Sequence, residues 1–126
     1  MARILIAEDS EEVRAFVAKA LSRDGHIVDM VEDGAKALEA LAESRYDLII
    51  ADIVMPELDG ISLALKIAKD QPELPILLMT GYPSQRERAH NLDTLIREVI
   101  VKPFTLADIC EAARRVLDRD SVGTTH

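Results

Sequence analysis

The sequence contains few aromatic residues and a single cysteine, and both shortages limit how the protein can be built. Its 126 residues include two Phe, two Tyr and no Trp, so aromatic residues make up 3% of the chain. We therefore expect a core of Leu, Ile, Val and Ala. Cys110 has no cysteine partner for an internal disulfide, and its place among apolar residues at helical spacing favours a small core residue over a reactive thiol.

Long hydrophobic runs and an excess of positive charge are also missing. The uncharged runs are much shorter than a membrane span, and the apolar stretch that ends at Ala7 is too short for a signal peptide. The chain has 23 Asp and Glu against 15 Lys and Arg, and its net charge of -8 repels nucleic-acid phosphates and anionic lipids. We therefore expect a cytoplasmic protein that binds neither nucleic acid nor membrane.

Strand-like and helix-like segments alternate regularly in a chain whose length fits one domain. The pattern predicts strands over residues 4–7, 27–31, 47–51, 76–80 and 99–101. It predicts helices over residues 12–23, 35–44 and 61–70, a fourth helix beginning at Ser84, and a fifth from Thr105 to about Arg119. We expect one domain over residues 1–119 and a short flexible C-terminal tail over residues 120–126.

This alternation favours an α/β fold, a doubly wound five-stranded parallel sheet with five helices on its two faces. Sheets of this kind bind ligands beyond the carboxyl ends of their strands. The residues just after the predicted strands are Glu8, Asp9, Asp52, Thr80, Gly81, Lys102 and Pro103. We expect them to lie together at one edge of the sheet.

The chemistry of these strand-end residues indicates phosphoryl transfer. The three carboxylates of Glu8, Asp9 and Asp52 repel one another unless a hard cation lies between them, and such a site suits Mg2+. Lys102 supplies a positive charge, and Thr80 a hydroxyl donor, for the oxygens of a phosphoryl group. Asp52, at the end of a buried strand, is a well-placed nucleophile that could form an aspartyl phosphate.

Each of these residues also has an ordinary structural interpretation. Glu8 and Asp9 could favour the dipole of the first helix, Asp52 could be a loop acid, and Lys102 a solvated surface lysine. Thr80 could simply be a strand residue. Their joint occurrence at the strand ends of one alternating pattern favours a functional site.

Several segments of the sequence resemble the signature blocks of receiver domains in bacterial two-component signalling. They cover residues 7–9, 52–56 with 59–60, 79–81 and 101–104, within a match over about residues 3–117. The resemblance implies a flavodoxin-like sheet with strand order 2-1-3-4-5. It also implies a single-domain response regulator similar to the chemotaxis regulator.

The resemblance further implies a role for each site residue. Asp52 would accept phosphate from a histidine kinase or a histidine phosphotransfer protein. Mg2+ would be held by Asp9, Asp52 and the main-chain oxygen of Val54, with Glu8 acting directly or through water. Thr80 and Lys102 would contact the phosphoryl group, near Gly81, and the Lys102–Pro103 peptide bond would be cis.

Three positions depart from patterns that are common in this family. Val54 and Tyr82 stand where receivers often have polar side chains that orient the hydrolytic water, so we expect an aspartyl phosphate with a long lifetime. Val99 stands where many receivers have a switching Tyr or Phe. The segment from Tyr82 to Ile96 would then move as a unit when Thr80 is drawn to the phosphoryl group.

The resemblance implies output through a partner protein, which would read the face formed by the fourth helix, the fifth strand and the fifth helix. Arg86, Arg88, His90 and Arg97 make this region locally basic, either as solvated surface or as a docking site for an acidic partner. We expect a monomer or a weak dimer that catalyses only its own phosphoryl transfer and slow autodephosphorylation.

Other functions fit the sequence less well. A haloacid-dehalogenase-type phosphatase needs a second Asp two residues after the nucleophile, where this chain has Val54. A flavodoxin-like electron carrier binds its flavin phosphate in the first loop, which is acidic here at residues 9–12. A phosphorelay intermediate and a phosphorylation-independent adaptor remain open alternatives.

Overall fold

The structure, a computed structural model, describes residues 1–82, 84, 89, 92 and 95–125, with side chains to residue 118. Its sheet contains β1 (Arg3–Ala7), β2 (Ile27–Val31), β3 (Leu48–Asp52), β4 (Ile76–Thr80) and β5 (Glu98–Val101). All neighbouring strands are parallel, and their order is β2-β1-β3-β4-β5. The predicted doubly wound, flavodoxin-like architecture is therefore confirmed.

Four helices connect and cover the strands within the part of the chain that the structure describes. They are α1 (Glu11–Arg23), α2 (Gly34–Glu43), α3 (Gly60–Asp70) and α4 (Leu106–Thr125). Most of the predicted fourth helix, which begins at Ser84, falls outside the described residues, so the last helix is numbered α4 here.

The last helix extends further than the sequence pattern predicts. Its backbone is helical to Thr125, whereas the apolar pattern predicts an end near Arg119. No proline lies in this stretch, and Gly123 costs a helix only about 1 kcal/mol relative to alanine. Apolar periodicity therefore underestimates the helix, because it marks only the turns that pack against the sheet. Flexibility of residues 120–126 stays a prediction.

Polar caps set where the helices begin. Asp33 and Asp59 each accept a hydrogen bond from the backbone N–H three residues later, at 2.8 and 2.7 Å. Thr105 and Asp108 form a reciprocal capping box, with their two side chain–backbone hydrogen bonds at 3.0 and 2.9 Å. These caps satisfy N–H groups that the first turn of a helix leaves free.

Alternate residues of the central strands pack into two separate cores, one on each face of the sheet. The core beneath α2 and α3 contains Leu5, Ile49, Ala51, Ile76 and Leu78, and the core beneath α1 and α4 contains Ile4, Ile6, Ile50, Leu77 and Met79. Every residue of β3 and β4 is buried. A side chain at the end of β3 therefore stands on backbone that is packed from both sides.

Four apolar residues between β4 and β5 lie against the core where the structure describes them. Ala89 and Ile96 are buried, and Leu92 and Leu95 pack against the same core as α2 and α3. No helix within the described ranges combines the length and apolar character needed to cross a bilayer.

Candidate functional site

The register of the parallel sheet places the ends of four strands at one edge. Ala7 is paired with Ala51, Asp52 with Met79, and Thr80 with Val101. The residues after these strand ends therefore converge. Carboxylate oxygens of Glu8, Asp9 and Asp52 lie within 4.8 Å of one another.

Lys102 connects two of these carboxylates. Its Nζ donates to Glu8 Oε1 at 2.9 Å and to Asp52 Oδ2 at 2.5 Å. Glu8 is fully buried and Asp52 is 5% exposed, whereas Asp9 is open to solvent. The ammonium group thus lies between two buried acids, which brings opposite charges together where solvent screening is weak.

Burial and neighbouring charges shift the pKa values of this group. The pKa of Glu8 is raised from 4.5 to about 7, mainly by burial and also by the nearby Asp52, while hydrogen bonds from Lys102 and Ser10 act in the opposite direction. Burial alone would lower the pKa of Lys102, but its hydrogen bonds to Asp52 and Glu8 outweigh that effect and raise it. Lys102 is therefore a permanent cation at neutral pH.

The main chain after Asp52 folds back on the acceptor carboxylate. The Val54 N–H donates to Asp52 Oδ1 at 3.1 Å, so the Val54 backbone is held against this side chain. Together the carboxylates and this main chain form a set of hard oxygen donors with an open side at Asp9. This is the donor chemistry that Mg2+ prefers, so the residues fit the predicted metal.

Thr80 and Lys102 approach the site from β4 and β5. Thr80 is fully buried, and its Oγ1 accepts from the Tyr82 N–H at 3.0 Å and donates to the Tyr82 carbonyl at 3.2 Å. Gly81 between them is exposed, with no atom within 4 Å of the position a Cβ would take. The Lys102–Pro103 peptide bond is cis, as the resemblance implies.

The three positions that depart from the family pattern differ in their surroundings. The side chains of Val54 and Tyr82 are 49% and 59% exposed, so the apolar groups flanking the site face solvent. Val99 is partly buried and packs against the core beneath α2 and α3. Of the predicted basic group, Arg86, Arg88 and His90 lie outside the described residues, and the Arg97 N–H donates to the Ile76 carbonyl at 2.9 Å.

Sequence reasoning missed two residues that support Glu8. The Ser10 N–H donates to Glu8 Oε2 at 3.1 Å, and Arg14 Nη1 donates to the Glu8 main-chain oxygen at 2.8 Å. Ser10 was recognisable as a residue in the loop before a helix, but nothing in the pattern singled out Arg14. Both hold the buried Glu8 in place from the start of α1.

Comparison with known proteins finds relatives of this chain in both sequence and structure. The family model of the response regulator receiver domain matches residues 4–114 of this chain. The receiver protein CpdR of Brucella abortus is 38% identical over 117 residues, which is 93% of this chain and 98% of CpdR. The response regulator MprA of a Mycobacterium species (strain KMS) is 34% identical over 94% of this chain, which spans about half (52%) of MprA.

A solved structure carries the same fold. The response regulator TrrA of Thermotoga maritima, solved in complex with Mg2+ and BeF, has a TM-score of 0.83 and 30% sequence identity. The match covers 92% of this chain and 99% of TrrA. The likeness extends over nearly the whole of both chains, so it includes the strand ends that carry the acidic cluster.

Proposed function

The chain belongs to the response regulator receiver domain family, and on this premise we propose that it is a phosphorylation switch whose acceptor is Asp52. One observation carries the proposal. The Asp52 carboxylate stands at the end of a buried strand, among two further acids and the Lys102 ammonium, which lies 2.5 Å away. An acceptor fixed in this way needs little reorganisation before attack.

The phosphoryl donor is a histidine kinase or a histidine phosphotransfer protein. An oxygen of Asp52 forms a bond to phosphorus while the phosphorus–nitrogen bond of the phosphohistidine breaks, and its electron pair remains on the imidazole. Glu8, Asp9, Asp52 and the Val54 main-chain oxygen would hold Mg2+, which offsets the negative charge of the carboxylates and the phosphoryl group when bound.

Two of the chain's own side chains respond to the new phosphoryl group. Lys102 already contacts Asp52 and transfers that contact to a phosphoryl oxygen. The Thr80 hydroxyl gives up its hydrogen bonds with Tyr82 and donates to another phosphoryl oxygen. The movement of Thr80 then alters the segment that follows β4, which is the route by which phosphorylation reaches the surface.

The signal passes to a partner protein in the cytoplasm. The relevant face is formed by the predicted fourth helix, β5 and α4. A relay intermediate that returns phosphate to a histidine phosphotransfer protein is the alternative output.

The aspartyl phosphate has a long lifetime. The Val54 backbone contacts Asp52 and the Tyr82 backbone contacts Thr80, and neither side chain offers a base to orient the attacking water. Both side chains are about half exposed, so their effect depends on covering the phosphoryl group once it is present.

Phosphorylation with acetyl phosphate and Mg2+, followed by intact-mass spectrometry, tests the acceptor. We expect one phosphoryl group on the wild type and on Asp70→Asn, a control that removes an exposed carboxylate at the end of α3. Asp52→Asn should take up none. Phosphate on Asp52→Asn, or none on the wild type, would contradict the assignment.

A further inference from the structure

The first residue of α2 touches the loop that follows the acceptor. A Cβ added to Gly34 would lie 2.3 Å from the Leu58 carbonyl oxygen and 2.9 Å from the Leu58 Cβ. Leu58 belongs to the loop between β3 and α3, which also contains Val54. Contacts this short are repulsive, so any side chain at Gly34 would have to displace the loop backbone.

The other end of the same loop is held by a second close approach. A Cβ on Gly60 would lie 2.4 Å from the Asp52 carbonyl oxygen, and the Gly60 N–H donates to the Ile53 carbonyl at 2.8 Å. The start of α3 thus rests directly on the main chain of the acceptor. The loop is enclosed between the first residues of two helices.

The loop between these contacts is tightly turned. Glu57 has a left-handed backbone with φ of 68°, and the Leu58 N–H donates to the Pro56 carbonyl at 2.7 Å. A non-glycine residue at positive φ is strained and persists only where surrounding contacts impose it. The contact of Gly34 with Leu58 is one such constraint.

The start of α2 is itself well anchored. Asp33 is 8% exposed, and its Oδ1 accepts from the Lys36 N–H at 2.8 Å. Ala37, one turn into α2, is fully buried in the core. Gly34 therefore cannot retreat easily from Leu58, and the strain of an added side chain would fall on the loop.

We propose that Gly34 is a positioning residue: the start of α2 holds the loop after the acceptor so that the Val54 main chain lies against Asp52. The contact that this positioning maintains is the hydrogen bond from the Val54 N–H to Asp52 Oδ1, at 3.1 Å. This inference rests on the proposed function, in which the Val54 main-chain oxygen is a Mg2+ ligand. Residues that orient metal ligands from outside the metal site commonly alter metal affinity when substituted.

The test compares two glycine-to-alanine variants. Gly34→Ala adds a methyl group that meets Leu58. Gly25→Ala strains a backbone with φ of 92°, but no atom lies within 4 Å of the position that its Cβ would take. Both variants should melt below the wild type. Mg2+ affinity is measured by titration calorimetry. The chemical shift of the Val54 amide is measured in 15N–1H spectra without metal.

We expect Gly34→Ala to raise the Kd for Mg2+ about tenfold. We also expect it to shift the metal-free Val54 amide resonance, while Gly25→Ala keeps the wild-type Kd and resonance. An unchanged Val54 resonance and Kd in Gly34→Ala, or an equal loss of affinity in Gly25→Ala, would overturn the inference. If Gly34→Ala does not fold, Leu58→Gly removes the facing Cβ instead and should produce the same weakening and shift.

Failure of the proposed function is separable from failure of this inference. If wild-type Asp52 takes up no phosphate from acetyl phosphate, the phosphorylation switch is wrong. The metal-free Val54 resonance of Gly34→Ala still decides whether the start of α2 positions the loop, because it requires neither phosphate nor Mg2+.

Discussion

Lys102 Nζ lies 2.9 Å from Glu8 Oε1, although the two residues are 94 positions apart in the sequence. The same ammonium group contacts Asp52. Its positive charge compensates two buried acids, so Lys102 has a structural role in addition to its proposed contact with phosphate.

Replacement of Lys102 by methionine should therefore have two effects. The buried Glu8 and Asp52 would lose their cation, which should lower the free energy of unfolding without metal by about 1–3 kcal/mol. Mg2+ should then stabilise the variant more than the wild type, because the metal ion no longer competes with the Lys102 ammonium group for the two carboxylates. Urea unfolding with and without Mg2+ measures both effects.

Lys66→Met is the matched control for this variant, because Lys66 is exposed on α3. It should unfold as the wild type does in both conditions. Equal Mg2+ stabilisation of Lys102→Met and the wild type would show that the ammonium group does not occupy the metal position.

A polar residue at position 54 should shorten the lifetime of the aspartyl phosphate. Val54→Asn supplies an amide that can orient water beside the phosphoryl group, so we expect dephosphorylation to be on the order of 10-fold faster. Loss of phosphate over time is followed by mass spectrometry after the donor is removed. Leu65→Asn, which replaces an exposed apolar residue of α3 away from the acceptor loop, should keep the wild-type rate. An unchanged or slower rate in Val54→Asn would refute the expectation.

Tyr46 should titrate well above an ordinary tyrosine. Burial, and then its hydrogen bond to Asp29 at 2.7 Å, raise the pKa of Tyr46 from 10.0 to about 12. The folded state thus keeps a proton that the unfolded state loses above pH 10. The free energy of unfolding should fall as pH rises from about 10 to about 12.

An absorbance titration of the tyrosinate band in the wild type and in Tyr46→Phe isolates this group from Tyr82, the other tyrosine. Urea unfolding at several alkaline pH values should show a shallower decline in Tyr46→Phe. A tyrosine transition near pH 10 that disappears in Tyr46→Phe would contradict the assignment.

His26 should make the protein less stable in mild acid. Its Nδ1 accepts from the Ala2 N–H at 3.0 Å, and its Nε2 is buried without a hydrogen bond. Burial lowers the pKa of His26 below 6.5, although Asp24 at 3.8 Å opposes the shift. The unfolded state therefore binds a proton more readily, and this contribution to stability is lost as pH falls below about 6.5.

The difference in unfolding free energy between the wild type and His26→Asn should therefore become smaller, or reverse, between neutral pH and about pH 5. Use of the difference removes the effect of Glu8, whose raised pKa acts in the opposite direction. A difference that is constant with pH would show that His26 has the same pKa in the folded and unfolded states.

Most of the architecture could be predicted from the sequence because it depends on local patterns. β2 and β4 have the predicted bounds. The pattern of β4 is a mostly aliphatic run that follows Pro75, whereas that of β2 is weaker, because Asp29 interrupts the apolar residues after Gly25. The convergence of Glu8, Asp52 and Lys102 followed from the rule that parallel strands end at one edge. These inferences need only the alternation of strands and helices.

The remaining features depend on contacts between segments that are distant in sequence. The bridging position of Lys102 depends on the depth of Glu8 beneath the surface, which the sequence pattern does not report. The contact of Gly34 with Leu58 joins the start of one helix to the loop before another, and no periodicity reports it. The Thr80 hydroxyl bonds to Tyr82 through a local turn, which its position alone did not predict.

The charge balance of the pocket also depends on strands from distant parts of the chain. Its members come from the ends of β1, β3 and β5, so Lys102 is the last of them to leave the ribosome. A chain truncated before β5 would retain Glu8 and Asp52 but lack Lys102. Such a chain has no Lys102 cation to compensate these two acids, so β5 is needed for the charge balance of the pocket as well as for the sheet.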